Sequence, residues 1–200
     1  MSTGIVILAA GESTRMGEPK QLLAYRGTTL LQHTIETART LAAPIVVVLG
    51  AHAAQIREQL GESGVLIGEN PAWRDGMGGS LRAGLSALLD AHPDTDAAIF
   101  LLCDQPFLST EILNELIATH ARTGSLIVAS KYNDTLAAPA LFARELFPEL
   151  LALHSTGGAQ QIIRKHRDHA VGISFPGGAI DLDTRADYQS LRELSTPIPV

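Results

Sequence analysis

Residues 4–20 read "GIVILAAGESTRMGEPK", an apolar run that stops at a glycine and continues as a polar loop. The continuous apolar run is typical of a strand buried on both faces of a parallel sheet. In the loop, Gly11 and Gly17 let the backbone approach a ligand closely, and Arg15 and Lys20 add two cations. Free N–H groups in such a loop can form an anion-binding nest. The stretch therefore predicts a polyphosphate-binding loop, and a plain surface turn with solvated cations is the alternative.

The bulk composition is that of an ordinary globular protein, with 200 residues of which 46% are hydrophobic and 18% charged. The net charge of −6 argues against a general nucleic-acid binder, which needs a basic face to displace counterions. Cys103, the single cysteine, lies in an apolar run, so we expect a buried thiol and no internal disulfide. The first residues lack the pattern of a signal peptide or a membrane span, which predicts a cytoplasmic protein without membrane contact.

Strand-like and helix-like segments alternate along the whole sequence. Apolar runs predict strands at residues 4–10, 45–49, 65–67, 97–103, 126–130 and 171–175. Periodic apolar positions and capping residues predict helices at residues 28–41, 53–60, 80–91, 109–122, 144–153, 159–165 and 184–194. This alternation is typical of a three-layer α/β fold with a mostly parallel central sheet, and we expect residues 1–200 to form one domain.

Three loops with unusual chemistry follow predicted strands, at residues 11–20, 69–80 and 103–106. Ligands of parallel α/β sheets bind outside the carboxyl ends of the strands, so the three loops are candidates for one site. The first loop matches neither the dinucleotide pattern G-x-G-x-x-G nor the Walker A pattern, which ends in G-K-[ST]. The sequence therefore predicts a phosphate site of another type.

The stretch "LAAGESTRMGEPKQLL" (residues 8–23) resembles the signature of the nucleotidyltransferases that build the dinucleotide form of the molybdenum cofactor. These are the molybdopterin cytidylyltransferases and the related guanylyltransferases. The resemblance continues in order through "NPAWRDGMGGSLRAGL" (70–85), "LLCDQPFLS" (101–109), "PALFARELFPEL" (139–150) and "IDLDTRADY" (180–188). It implies a Rossmann-like nucleotidyltransferase fold with a nucleotide-binding half at about residues 1–108 and an acceptor-binding half at about residues 109–200.

The reaction that the resemblance implies is transfer of a nucleoside monophosphate from a triphosphate to a phosphorylated acceptor, with release of pyrophosphate. It implies Mg²⁺ as cofactor, CTP as the preferred nucleotide, molybdopterin as the acceptor, and a molybdoenzyme or its chaperone as a possible partner. It assigns catalysis to Arg15, Lys20 and Asp104. Residues implied to bind the nucleotide are Leu8, Ala9, Ala10, Gly11, Arg15, Met16, Gly17, Lys20, Gly78, Gly79 and Ser80.

Two carboxylates are the candidate metal ligands. Asp104 ends the strongest predicted strand, and a hard carboxylate there suits Mg²⁺; a helix-entry aspartate before a proline is the alternative. The resemblance adds Asp181, whereas Asp183 would instead cap the last helix. Two roles remain open for Ser80, a contact to the nucleotide base and a plain helix N-cap. We expect Trp73 to be a partly buried anchor.

The acceptor-binding half departs from the family pattern. Residues 155–160 read "STGGAQ", where the family usually carries a "GDxGAR"-like stretch, and Ala137 and Ala138 replace a glycine and a polar residue. The acceptor therefore stays open. The alternatives are a guanylyltransferase, or a catalytically weak nucleotide-binding relative that acts as a partner or chaperone in molybdoenzyme cofactor maturation. The stretch "LAAG" at residues 8–11 argues against a guanylyltransferase, because the guanylyl branch of the family typically has "LAGG" there.

Overall fold

A central seven-stranded sheet with helices on both faces organises the chain, which the computed structural model describes over residues 2–180 and 182–195. The strands are β1 (Thr3–Leu8), β2 (Ala24–Tyr25), β3 (Thr28–Thr29), β4 (Ile45–Leu49), β5 (Leu66–Glu69), β6 (Ala97–Leu102), β7 (Ile127–Tyr132), β8 (Thr135–Ala143) and β9 (Ala170–Ser174). The helices are α1 (Leu30–Arg39), α2 (Ala53–Leu60), α3 (Met77–Ala91), α4 (Thr110–Thr123), α5 (Phe147–Leu151), α6 (Ala159–Lys165) and α7 (Arg185–Ser195). None of these helices is long and apolar enough to cross a membrane.

The strand order of the central sheet is β5-β4-β1-β6-β8-β7-β9, and β2 pairs with β3 in a separate hairpin. All neighbours in the main sheet are parallel except β8, which runs antiparallel to both β6 and β7. Because β8 reverses direction between them, β6 and β7 still point the same way. The carboxyl ends of β1, β6 and β7 therefore lie at one edge of the sheet. The predicted three-layer, mostly parallel architecture is confirmed.

Alternate residues of β1 enter the two hydrophobic layers of the core. Ile5 and Ile7 pack in the layer that contains α1, α2 and α4, whereas Val6 and Leu8 pack in the layer that contains α3, α5 and α6. This is the period of two that a strand imposes on its side chains. Since both faces are covered, the strand reads as one uninterrupted apolar run.

Helix α3 packs closely against the sheet where its Gly84 faces Val6 of β1 and Val48 of β4. A Cβ at Gly84 would lie 2.3 Å from a methyl carbon of Val6 and 2.7 Å from one of Val48. Only a residue without a side chain permits this spacing. The close approach fixes the beginning of α3 near the ends of β1 and β4.

Four features differ from the sequence-based prediction. The sequence analysis assigns no element to residues 135–143, which form β8, and it does not predict the hairpin of β2 and β3. The helix predicted at residues 80–91 begins earlier, at Met77, so the supposed glycine loop forms its first turn. The helix predicted at residues 144–153 is a 3₁₀ turn, Arg144–Leu146, followed by the short α5. The remaining predicted elements exist, with ends that differ by a few residues.

Candidate active site

A cleft of about 220 Å³ lies at the carboxyl ends of β1 and β6, where all three loops singled out in the sequence meet. The end of β1 and its following loop form one side, the beginning of α3 forms another, and the residues after β6 form a third. The lining residues are Leu8, Ala9, Ala10, Gly11, Lys20, Gln21, Trp73, Gly76, Met77, Ser80, Leu102, Cys103 and Asp104.

Four charged side chains form a continuous network at this cleft. The Lys20 ammonium donates a hydrogen bond to the Asp104 carboxylate, and it lies 3.6 Å from Oδ1 of Asp183. Arg15 Nη2 donates to Oδ2 of the same Asp183 at 2.8 Å. The Lys20 and Asp104 side chains are only 18% and 13% exposed, so water screens their interaction weakly. Lys20 is therefore held between two carboxylates that come from distant parts of the chain.

The charge of Lys20 is stabilised by its neighbours. Burial on its own lowers the pKa of an ammonium group, but the negative charge and hydrogen bond of Asp104, with a further contribution from Asp183, outweigh it. The net result is a pKa of Lys20 above its ordinary value of 10.5. Lys20 is thus a fixed cation at neutral pH, and it does not serve as a proton acceptor there.

Backbone contacts in the first loop place Lys20. It begins a 3₁₀ turn, and its N–H donates to the hydroxyl of Ser13 at 3.1 Å. Next to it, the side-chain nitrogen Nε2 of Gln21 donates hydrogen bonds to the backbone carbonyls of Ala9 (2.8 Å) and Gly11 (2.9 Å). Gln21 is buried and ties the two ends of the loop together. The sequence analysis did not identify Gln21 as a residue of the site. Its position between Lys20 and two leucines could have indicated a buried amide.

The beginning of α3 is packed against two other segments. A Cβ at Gly78 would lie 2.0 Å from the carbonyl oxygen of His154, and one at Gly79 would lie 3.0 Å from the side chain of Asn70. Asn70 is buried, and its Nδ2 donates to the hydroxyl of Ser80 at 3.0 Å. Gly76, and not Ser80, is the N-cap of the helix. The N-cap alternative for Ser80 is therefore wrong, and Asn70 is a second residue that the sequence analysis missed.

Cys103 and Trp73 also line the cleft. Burial raises the pKa of the Cys103 thiol to about 12, so this group stays protonated and is not a nucleophile. Trp73 is partly buried and packs against the α3 layer of the core, as expected for an anchor. The Arg74 guanidinium lies 4.2 Å from the centre of its ring. The anchor thus forms a wall of the cleft as well.

The structure brings together some of the predicted site residues and not others. Arg15 reaches the site only through Asp183, and Gly17 does not line the cleft. Gly78 and Gly79 lie inside α3, behind Met77 and Ser80. The Met16 side chain is buried in a small apolar cluster with Leu23, Tyr25, Leu30, Leu182 and Leu191.

The "IDLD" stretch contains two aspartates, Asp181 and Asp183. Asp181 lies outside the described residues. Asp183 does not cap α7 as predicted, since the hydroxyl of Thr184 accepts the N–H of Asp187 while the Asp187 carboxylate accepts that of Thr184. The Asp183 side chain is instead free to pair with Arg15 and Lys20.

The donors at the cleft suit a hard divalent cation. Asp104 and Asp183 both contact the Lys20 ammonium, so their oxygens approach a common centre of positive charge. Mg²⁺ is typically held by one or two carboxylates together with substrate phosphates and water. Among residues 2–180 and 182–195, no group of three His, Cys, Asp or Glu side chains forms a closed metal site. An open site that a bound phosphate completes is the arrangement that these residues fit.

Comparison with known proteins shows a matching family model and solved structures that are similar along nearly the whole chain. Residues 5–170 match the family model of the MobA-like NTP transferase domain. The crystal structure of Rv0371c from Mycobacterium tuberculosis H37Rv is similar over 96% of this chain and 98% of that one, with 31% identity and a TM-score of 0.83. A structure of Rv0371c in complex with manganese is similar with 30% identity and a TM-score of 0.79, over 96% and 99% of the two chains.

Two curated relatives match over shorter regions. The nicotine blue oxidoreductase of Paenarthrobacter nicotinovorans is 38% identical over 117 residues, which cover 58% of this chain and 55% of that protein. The bifunctional protein GlmU of Caulobacter vibrioides is 33% identical over 139 residues, which cover 65% of this chain and 29% of GlmU. The matched regions thus span about half or less of these relatives. From the family model and the agreement along the whole fold, the chain belongs to the MobA-like NTP transferase domain family.

Proposed function

We propose that this protein transfers CMP from CTP to a phosphorylated acceptor and releases pyrophosphate. The observation that carries the proposal is the Lys20 ammonium, held between Asp104 and Asp183 at a cleft formed by the β1 loop and the beginning of α3. Residues 1–108 would supply most of the nucleotide site, and residues 109–200 would bind the acceptor. Molybdopterin is the acceptor that the sequence resemblance favours.

The transfer needs positioning and charge neutralisation more than a protein base. An oxygen of the acceptor phosphate forms a bond to the α-phosphorus, and the bond to the bridging oxygen breaks, so that its electron pair leaves with pyrophosphate. The acceptor phosphate is largely ionised at neutral pH, because its second pKa is about 6. Gly11, Arg15 and Lys20 would bind the triphosphate, and Lys20 would stabilise the charge that grows during transfer.

Two carboxylates at the cleft could hold the divalent cation that the transfer needs. Asp104 and Asp183 would hold Mg²⁺, which when bound neutralises phosphate charge and fixes the phosphates in line. The sequence resemblance assigns the second ligand to Asp181, which lies outside the described residues; among the described carboxylates, Asp183 contacts both Lys20 and Arg15. We therefore give Asp183 the role of second ligand.

A preference for CTP over GTP would arise at the end of β1. Ala10 lines the cleft, and its carbonyl accepts the N–H of Ala51 at 3.1 Å. A Cβ placed on Gly50 would lie 2.8 Å from the methyl of Ala10, so this region is closely packed. The methyl restricts the space for a purine, which is worth about 1–3 kcal/mol, or roughly ten- to two-hundred-fold in kcat/KM.

The direct test of the proposed function is turnover. Purified protein is incubated with each nucleoside triphosphate, Mg²⁺ and a panel of phosphorylated acceptors that includes molybdopterin, and pyrophosphate is measured. We expect release that depends on both substrates and is abolished in Asp104→Asn. Binding of CTP without turnover on any acceptor would instead support the catalytically weak relative.

The base preference has its own test. We expect kcat/KM to be higher for CTP than for GTP in the wild type, and Ala10→Gly to increase the relative use of GTP. Equal values in the wild type would refute the preference while the transferase assignment stands. An unchanged ratio in the glycine variant would show that Ala10 is not its cause.

A further inference from the structure

A second cleft, of about 540 Å³, lies at the carboxyl end of β7 and shares no lining residue with the nucleotide cleft. Residues of β7, β9, the beginning of β8 and α6 surround it. Its volume is in the range of about 300–1,000 Å³ that small-molecule sites occupy. The proposed transfer chemistry does not use it.

Cations dominate this second cleft. Lys131, Arg164 and Arg167 line it, against the single carboxylate of Asp134. Lys131 lies 3.7 Å from Asp134, but the Asp134 side chain is 99% exposed, and such a pair contributes little. Within the described part of the chain, the guanidinium groups of Arg164 and Arg167 make neither a hydrogen bond nor an ion pair. The cleft is therefore strongly positive in a protein whose net charge is −6.

Apolar groups lie beside these cations. The buried Ile163 and the partly buried Leu136 line the same cleft. Gly172 lines it from β9, where a Cβ would lie 2.8 Å from a methyl carbon of Leu136. An apolar surface with guanidinium groups at its rim suits an organic molecule that carries an anionic group. Arginine side chains bind phosphate in particular, because their paired N–H groups match two phosphate oxygens.

The second cleft is a near neighbour of the nucleotide cleft. Gln160 lines it and donates a hydrogen bond from its side chain to the carbonyl of Leu136. Two residues earlier, Gly158 would place a Cβ 4.0 Å from the sulfur of Met77, which lines the nucleotide cleft. One short segment, residues 154–160, thus separates the two clefts.

We propose that this second cleft is a binding site for the phosphate group of a small organic molecule, held by Arg164 and Arg167. The group is not the attacking phosphate of the transfer, which must reach Lys20 and Asp104. It belongs either to a second anionic part of the acceptor or to a separate effector. The binding itself does not depend on the proposed transfer, and only the choice between these two sources does.

Binding is tested on the full chain by NMR, with inorganic phosphate and phenyl phosphate as probes. We expect saturable shifts of the amide signals of Ile163 and Gly172, with several-fold tighter binding of phenyl phosphate because of its apolar ring. In the double variant Arg164→Gln/Arg167→Gln, binding should weaken at least about tenfold, as expected for lost charge-assisted hydrogen bonds.

A control for the loss of charge is Lys165→Gln, which removes one positive charge from α6, the helix that carries Arg164. Lys165 pairs with Glu149 at 2.9 Å and does not line the cleft, so this variant should bind phenyl phosphate like the wild type. Shifts that do not saturate, shifts confined to residues 11–20, or equal binding by the double variant would each overturn the proposal.

Kinetics then separate the two sources. If the phosphate is part of the acceptor, the double variant raises the KM of the acceptor and leaves that of the triphosphate unchanged. If it belongs to an effector, phenyl phosphate changes the rate of the wild type at saturating substrates and not that of the double variant. A failure of the protein to transfer nucleotides would leave the binding result intact.

Discussion

Lys20 combines burial with contacts to two carboxylates, so water screens its interaction with a bound phosphate only weakly. We predict that Lys20→Ala lowers kcat more than it raises the KM of the triphosphate. An interaction that strengthens as charge develops lowers kcat and kcat/KM together. The loss of one such cation should cost about 2–4 kcal/mol of barrier, by analogy with single oxyanion donors. Steady-state kinetics measure this, and an effect on KM alone would limit Lys20 to ground-state binding.

The hydrogen bond from Asn70 to Ser80 determines whether the Ser80 hydroxyl can donate its proton to a ligand. Because Asn70 donates to the Ser80 oxygen, the hydroxyl proton remains available to a base acceptor in the cleft. An aspartate at position 70 can only accept, so the Ser80 proton would turn towards it. We predict that Asn70→Asp lowers kcat/KM for CTP about tenfold, equivalent to about 1.4 kcal/mol, with the fold unchanged.

A double-mutant cycle separates this polarity from simple charge repulsion. In the Ser80→Ala background there is no hydroxyl to redirect, so Asn70→Asp should cost little further activity. The same tenfold loss in both backgrounds would mean that the new carboxylate acts by repelling the triphosphate.

At the scale of elements, the contact between α3 and the sheet depends on Gly84. Alanine is the better helix former by about 1 kcal/mol, but its methyl would overlap Val6 and Val48. Overpacking of this kind costs about 1–3 kcal/mol and more where the backbone cannot move. We predict that Gly84→Ala lowers the free energy of unfolding by about 1–2 kcal/mol, measured by urea denaturation.

The control for this prediction lies on the same helix. Ser86 is exposed, so Ser86→Ala should leave stability unchanged or raise it slightly. Combining Gly84→Ala with Val6→Ala should cost less than the sum of the two single changes, because the second change makes room for the first. Additive losses would mean that the methyl at position 84 is accommodated elsewhere.

Elements with a strong local pattern could be predicted from the sequence, and elements that depend on distant neighbours could not. Strands β1, β4 and β6 are uninterrupted apolar runs, and Thr29 caps α1 by accepting the N–H of Gln32, as its position suggested. Strand β8 is extended because β6 and β7 pair with it from both sides. Its central residues, alanines around Pro139, are types that are depleted in strands.

The same distinction applies to the site. Lys20 and Asp104 carry a recognisable local motif, and the cleft contains both. The glycines at the beginning of α3 read as a loop, because glycine disfavours helices. They are helical since Gly78 packs against the backbone at His154 and donates its N–H to the carbonyl of Ser155 at 3.0 Å. Asp183 pairs with Arg15, 168 positions away, and Asn70 pairs with Ser80 across the turn that precedes α3. No local pattern reveals either contact.

For the molecule as a whole, His33 makes stability sensitive to acid. Burial is the main reason that the pKa of His33 is below its ordinary value of 6.5, and the nearby positive charge of Arg26 adds to this effect. Its Nε2 is buried without a hydrogen-bond partner among the described residues. Since the unfolded chain binds the proton more tightly, stability is lost as the pH falls through about 6.5 towards the lower, folded pKa.

We predict that His33→Phe reduces this acid sensitivity. The ring of His33 packs edge-on against Tyr25 with 4.9 Å between ring centres, and phenylalanine can make the same contact without a titratable nitrogen. The difference in Tm between variant and wild type should grow as the pH falls from about 7 to about 5. A difference that is constant with pH would exclude His33 as the source.

The pairing of Arg15 with Asp183 joins residues that are 168 positions apart, which has a consequence for biosynthesis. A ribosome makes the cation-bearing loop early and its carboxylate partner much later. In the interval, β1, β4 and β5 can already assemble, while Arg15 and Lys20 lack one of their counter-charges. A growing chain therefore carries the loop of residues 11–20, whose Arg15 and Lys20 are matched in number by Glu12 and Glu18, before the contacts to Asp183 can form. The charge network around Lys20 is complete only after β9 and the segment that carries Asp183 have been synthesised.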